Sequence, residues 1–161
     1  MIVGVVMGSD SDYPIMKEAV DIFTEFGIEY ELRIISAHRT PCEAIRYASK
    51  ARERGLGAIV AGAGLAAHLA GFLASHTTLP IIGVPIGSGP LQGKDALYST
   101  VQMPPGIPVA TMGINGARNA ALFACQILAL QCKDLQEKLA DYRAAMAKKI
   151  GEKDKEIGKG L

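Results

Sequence analysis

The sequence predicts a three-layer α/β sandwich around a parallel sheet of about five strands, completed by a C-terminal helix. Three observations lead there. Short apolar runs alternate five times with helix patterns, no internal repeat or linker interrupts the 161 residues, and each unusual polar stretch follows a strand. Right-handed crossovers turn this alternation into one sheet with helices on both faces, and they gather the loops after the strands at one edge, where ligands bind. The length suits a single domain over 1–161, able to bury roughly 70% of its unfolded surface.

The elements follow in order. Ile2–Met7 is nearly all apolar, as a strand covered on both faces must be. After Gly8-Ser9-Asp10-Ser11-Asp12, the residues Met16, Ala19, Val20, Phe23 and Phe26 mark one face of a helix that Gly27 ends. A strand over about 30–35 leads to Ser36-Ala37-His38-Arg39-Thr40-Pro41. Thr40-Pro41-Cys42-Glu43 has the form of a capping box with proline at the first helical position, and the helix it opens is expected to reach about Arg54 and stop at Gly55. Ala58–Ala61 is the third strand, followed by Gly62-Ala63-Gly64-Leu65-Ala66-Ala67-His68 and a helix of small residues. Pro80–Val84 is the fourth strand, and Pro85 to Gly93 is a Gly- and Pro-rich loop before a short helix at about 94–102. Val109–Met112 is the fifth strand. The helix from Asn115 to about Gln131 is apolar on nearly every side and is expected to be buried all round. The last helix, about 133–150, carries the stripe Leu135, Leu139, Tyr142 and Met146, and the tail 151–161 is expected to fray.

Charge excludes several classes of function. With 17 Lys+Arg against 16 Asp+Glu and no long basic stripe, nucleic acid is not the expected partner. Three cysteines, Cys42, Cys125 and Cys132, make a disulfide framework unexpected, and the start MIVGVVMGSDSD lacks a basic n-region, so a cytoplasmic protein is expected. Residues 1–54 carry 16 charged side chains and 133–161 carry 14, whereas Gly55 to Cys132 holds only Lys94, Asp95 and Arg118. Gly, Pro and His break this charge-poor stretch too often for a membrane span. Coverage by other copies of the chain is the expectation instead.

The loops carry the chemistry. Ser9, Ser11 and Asp12 lie between a strand end and a helix start, where free amides and the helix dipole favour an anion. Serine hydroxyls add donors to a phosphate, and a carboxylate grips ribose hydroxyls. Ser11 or Asp12 acting only as a helix cap is the plainer alternative, and the two roles are compatible. Arg39 brings a guanidinium to the same edge, where its fork fits a phosphate. His38 beside it is the natural proton carrier, because histidine ordinarily titrates near neutrality; a hydrogen-bonded loop histidine is the alternative. Gly62-x-Gly64-x-x-Ala67 matches a dinucleotide fingerprint, but no acidic residue ends the next strand, so NAD is rejected. Those glycines still permit close approach of a flat ligand, which His68 is placed to close over or orient; His76 is read as structural. Cys125 and Cys132 have core spacing, and no His, Asp or Glu cluster has ligand spacing, so no metal is expected.

These loops together resemble the class I PurE family, the N5-carboxyaminoimidazole ribonucleotide mutases of purine biosynthesis. The resemblance spans about 2–131 through Met7-Gly8-Ser9-Asp10-Ser11-Asp12, Ser36-Ala37-His38-Arg39-Thr40-Pro41, Ala61-Gly62-Ala63-Gly64 with Ala66-Ala67-His68-Leu69, and Val101-Gln102-Met103-Pro104 leading to Pro108-Val109-Ala110-Thr111. It implies a flavodoxin-like (Rossmann-type) fold, a homo-octamer, no cofactor, and a phosphate-bearing aminoimidazole ribonucleotide as substrate. It also implies His38 as the general acid/base, Ser9 and Arg39 toward the phosphate, and Asp12 toward the ribose. Ser36, Ala37, Gly62, Gly64, Ala67, His68 and Leu69 then line the base and carboxylate pocket, with Gly8 and Ser11 joining the binding set. The chain departs from the family at Ala70, where proline is frequent, and in its short Gly113–Ala117 segment. Two alternatives stand beside the mutase. One is a class II carboxylase taking free carbon dioxide, against which Ala66-Ala67-His68 and His38-Arg39 speak; the other is a non-catalytic nucleotide- or FMN-binding module of the same fold.

Overall fold

A computed structural model describes residues 2–158. β1 (Ile2–Met7), β2 (Glu29–Ile34), β3 (Leu56–Gly64), β4 (Ile81–Ile86) and β5 (Ala110–Thr111) form one sheet in the order β2-β1-β3-β4-β5. Every pairing is parallel, with Val5 opposite Leu32 on one side and Val60 on the other, and Val60 opposite Ile82. This is the flavodoxin-like α/β sandwich, and the strand order reverses beside β1, where such sheets open a crevice.

Alternation along the strands divides the core in two. Val3, Val5, Met7, Val60, Ile82 and Val84 pack against α1 (Tyr13–Phe26) and α5 (Ala117–Ala129). Val6, Ile59, Ala61 and Ile81 face α2 (Pro41–Ser49) and α3 (Leu69–Ala74). α1 buries Met16, Ala19, Ile22, Phe23 and Phe26, and it ends at Gly27 in the left-handed region (φ 69°), as its apolar spacing and terminal glycine require. α4 (Lys94–Val101) lies between β4 and β5, and α6 (Lys133–Gly158) packs on α5 through Leu135.

Several boundaries differ from the sequence expectation, each for a local reason. β3 runs on to Gly64 and β4 to Ile86, paired residue by residue, so Gly62 and Gly64 are strand residues rather than loop. Thr40 does not cap α2: its hydroxyl accepts from Ser36 N and donates to Ser36 O, folding the preceding loop instead. α2 ends at Ser49, not Arg54, and the Arg54 guanidinium turns back to donate to the carbonyl of Tyr47. α5 is buried on one face only; Arg118, Asn119 and Phe123 are exposed. The expected fraying does not begin at Gly151, since α6 continues to Gly158; residues 159–161 lie outside the described ones. The charge-poor middle is explained in part by β3 and β4, which are interior strands of this chain, although Leu91, Tyr98 and Val101 remain exposed. No described helix is long and apolar enough to cross a membrane.

Candidate functional site

The site is assembled from the loops at the C-terminal ends of β1, β2, β3 and β4. After β1 the chain turns through a short 3₁₀ segment, Asp10–Asp12, closed by a reciprocal cap. Ser9 Oγ accepts from Ser11 N (3.4 Å), and Asp12 Oδ2 accepts from Ser9 N (3.0 Å). The capping residue is therefore Ser9; Asp12 makes no side-chain cap to α1 and reaches backwards. The expected free amides are largely engaged: Gly8 N donates to Gly62 O and Asp12 N to Ser9 O. An anion at this loop would draw chiefly on hydroxyls and on Arg39.

Arg39 is held in place by the two loops it joins. Its Nη2 donates to Gly8 O (2.8 Å) and its Nε to Ser36 Oγ (3.3 Å), and Ser36 Oγ also accepts from Arg39 N (3.2 Å). A guanidinium carries five N–H donors, so three stay free for a phosphate after these side-chain bonds. Asp12, only 7% exposed, lies in the same place. Burial raises its pKa above the ordinary aspartate value, against the lowering influence of hydrogen bonds from Ser9 and Gly8 and of the Arg39 charge. Asp10 on the rim moves the other way, its carboxylate stabilised by the Ser9 hydroxyl.

The two histidines meet across the cavity. His38 Nε2 and His68 Nδ1 lie at hydrogen-bonding distance, 2.9 Å, with the tautomer setting which one donates; the rings are edge-on at 82° and 5.0 Å between centroids. His38 is presented by the turn after β2, and His68 by the end of the β3–α3 loop. One proton between two imidazoles orients both rings and fixes which nitrogen of each is left for a ligand. His76 lies apart, bonded to Phe72 O and Ser75 Oγ, as a structural histidine.

These groups share one cavity of about 500 Å³, large enough for a mononucleotide. Of the residues named from sequence, Gly8, Ser9, Ser11, Asp12, Ser36, Ala37, His38, Arg39, Gly64, His68 and Leu69 line it. Gly62 and Ala67 do not. Gly62 faces the core, where a Cβ would strike Met16 and Ile86, and Ala67 is buried beneath the loop. Four lining residues were not singled out as ligand contacts: Ala63, Leu65, Ala66 and Ser88. Ser88 had a readable signal, a serine between glycines directly after an apolar strand. Among the described residues, no group of three or more His, Cys, Asp or Glu is placed to hold a metal ion.

The family model for AIR carboxylase matches residues 2–149 of this chain. The chain belongs to the AIR carboxylase family. Within it, the chain is 57% identical to the N5-carboxyaminoimidazole ribonucleotide mutase of Pyrococcus horikoshii, over 97% of this chain and 88% of that protein. It is 52% identical to the protein of the same name from Thermotoga maritima, over 94% and 88%. The crystal structure of PurE from Treponema denticola superposes with a TM-score of 0.86 at 31% identity, covering 96% of this chain and 97% of that one. The cavity thus lies in an AIR carboxylase fold.

Proposed function

We propose that this chain is an N5-carboxyaminoimidazole ribonucleotide mutase, moving a carboxylate from the exocyclic nitrogen of the aminoimidazole ribonucleotide to ring carbon four. The observation that carries the reading is the convergence of the His38–His68 pair with Arg39, Ser9 and Asp12 on one cavity. It is supported by the names of relatives more than half identical over nearly the whole chain.

The residues divide the work by chemistry. Arg39, with the hydroxyls of Ser9 and Ser11, anchors the phosphate, and Asp12 accepts from the ribose hydroxyls. Gly8, Gly64, Ser36, Ala37 and Leu69 shape the floor and walls on which the flat ring lies. An N-carboxylate is a carbamate that loses carbon dioxide readily, leaving an enamine-like ring nucleophilic at carbon four. Held in the cavity against the bound ring, the gas molecule is recaptured at that carbon before it escapes, because both reactants are already together. His38 then takes the proton from the new tetrahedral carbon, with His68 holding its ring in the orientation to do so. The proton count closes when the His38 imidazole enters the cycle protonated, gives that proton to the exocyclic nitrogen as the carbamate breaks, and regains one from carbon four, so no net proton is consumed.

The test is His38→Asn together with a comparison of substrates. The variant keeps the fold and binds product as wild type does, and its turnover falls at least a hundred-fold, the usual contribution of general acid–base catalysis. Near-normal turnover in His38→Asn would reject the assignment. In buffer depleted of bicarbonate, wild type converts the N-carboxylated substrate. Turnover only of the decarboxylated ribonucleotide with added carbon dioxide would make the chain a carboxylase instead, and retained flavin in the purified protein would favour the binding-module reading.

The same reading makes the protein a cytoplasmic homo-octamer. Its support is apolar surface that one chain leaves open: Ile34 (58% exposed), Tyr98 (63%) and Leu130 (80%). Light scattering on the purified chain gives eight copies if this is right, and a monodisperse monomer at micromolar concentration contradicts it.

A further inference from the structure

We propose that Ser88 is a substrate-contacting residue for the imidazole end of the ligand, and that Asn115 is the positioning residue that aims it. The inference rests on the mutase reading and adds to it a residue pair from the loops after β4 and β5.

Ser88 lines the cavity, and its hydroxyl has no protein partner among the described residues. Of the other serines of the cavity, Ser9 and Ser36 engage their hydroxyls in hydrogen bonds within their own loops, whereas Ser11, in the β1 loop on the Arg39 side, is engaged only through its backbone N–H. Gly64 leaves the room that Ser88 occupies: a Cβ there would collide with Ser88 Oγ and lie 3.4 Å from Ser88 Cβ and 3.3 Å from the carbonyl of Ile86. From the far side, Asn115 Oδ1 accepts from Gly87 N (2.7 Å), while Asn115 N donates to Pro85 O (2.8 Å). Asn115 thus grips the strand exit on both sides of Ile86. It does so from the left-handed region, φ 59°, a conformation that asparagine accepts more readily than most side chains. These two hydrogen bonds hold the strand exit from which Ser88 is presented.

The sheet order says which end of the ligand it meets. Arg39 and Gly8 belong to the loops of β2 and β1, whereas Ser88 follows β4, beyond β3 and on the other side of Gly64. A ribonucleotide with its phosphate on Arg39 therefore extends its ring past His38 and His68 toward Ser88. The hydroxyl is a neutral donor suited to the carboxylate or a ring nitrogen.

The experiment uses the full chain and measures turnover, unfolding, and calorimetric affinity for two probes, 4-carboxyaminoimidazole ribonucleotide and ribose 5-phosphate. Ser88→Ala is expected to weaken the first about ten-fold, as loss of one good hydrogen bond does, and to leave ribose 5-phosphate unchanged. Asn115→Gly keeps the positive φ but removes the clamp. It is expected to reproduce the Ser88→Ala loss, raise KM more than it lowers kcat, and add nothing in a Ser88→Ala background. Asn115→Asp restores the acceptor and most of the affinity. Equal loss for both probes would move Ser88 to the phosphate end and overturn the proposal, as would unchanged binding in Ser88→Ala or full additivity with Asn115→Gly. A wild type that turns over while Ser88→Ala behaves identically rejects this assignment alone; a wild type without mutase turnover rejects the parent reading.

Discussion

Arg39→Lys isolates geometry from charge at the phosphate end. Arg39 spends one N–H on Gly8 O at 2.8 Å and another on Ser36 Oγ at 3.3 Å, and it still has three to offer a phosphate. Lysine keeps the charge but has a single nitrogen with three donors, so it cannot span both loops and the ligand together. At least one charge-assisted hydrogen bond is lost, about 1.5–3 kcal/mol, which corresponds to roughly ten- to hundred-fold in Kd. Because the missing bond is to phosphate, ribose 5-phosphate and the full carboxylated ribonucleotide should weaken by the same factor in calorimetry. The fall in affinity with added salt should match wild type, since the charge remains. Unfolding should change little, because Arg39 is exposed. An Arg39→Lys chain that binds both ligands within two-fold of wild type would refute the assignment of the guanidinium to the phosphate.

Two further predictions concern stability. Asp12 has a raised pKa caused chiefly by burial, so its contribution to stability is full below the ordinary aspartate range and is lost as pH rises through the raised value. Asp12→Asn removes that cost while keeping an acceptor for Ser9 N, and thermal unfolding should find it at least as stable as wild type at pH 7, the gap closing toward pH 3; a variant markedly weaker at pH 7 contradicts this. Tyr47 is buried and its hydroxyl makes no well-formed hydrogen bond among the described residues; burial, and after it the nearby Glu31 carboxylate, pushes its pKa upward. Tyr47→Phe should stabilise the fold by about 1 kcal/mol, measured by denaturant titration, and a loss of that size would show the hydroxyl to be satisfied.

What was legible in the sequence is what local patterns determine. The apolar run of β1, the spacing of Met16, Phe23 and Phe26, and the glycine at position 27 each specify their element without help from distant residues. The convergence of the loops was legible from the order of strands, since Ser9, Asp12, His38 and Arg39 follow strands whose ends a parallel sheet gathers together. The misses are places where tertiary contacts choose between local options. Thr40 had a cap and a loop bond available to the same hydroxyl, and the loop won. Gly62 and Gly64 read as loop by composition. In β3 they are strand residues paired with Val84 and Ile86, and they are glycine because Met16 and Ser88 stand where side chains would. Ser88 carried a local signal, a serine between glycines after a strand, but its link through Gly87 to Asn115 spans 28 residues, and no local pattern records that distance.

In the mutase reaction the carboxylate which leaves the nitrogen is the one that arrives at carbon four. The most direct test supplies N-carboxylated substrate labelled with carbon-13 at the carboxylate, in buffer containing unlabelled bicarbonate, and reads the product by mass spectrometry in the first turnovers. Retention inside the cavity predicts product carrying the label; product that takes the isotopic composition of the bicarbonate would contradict it.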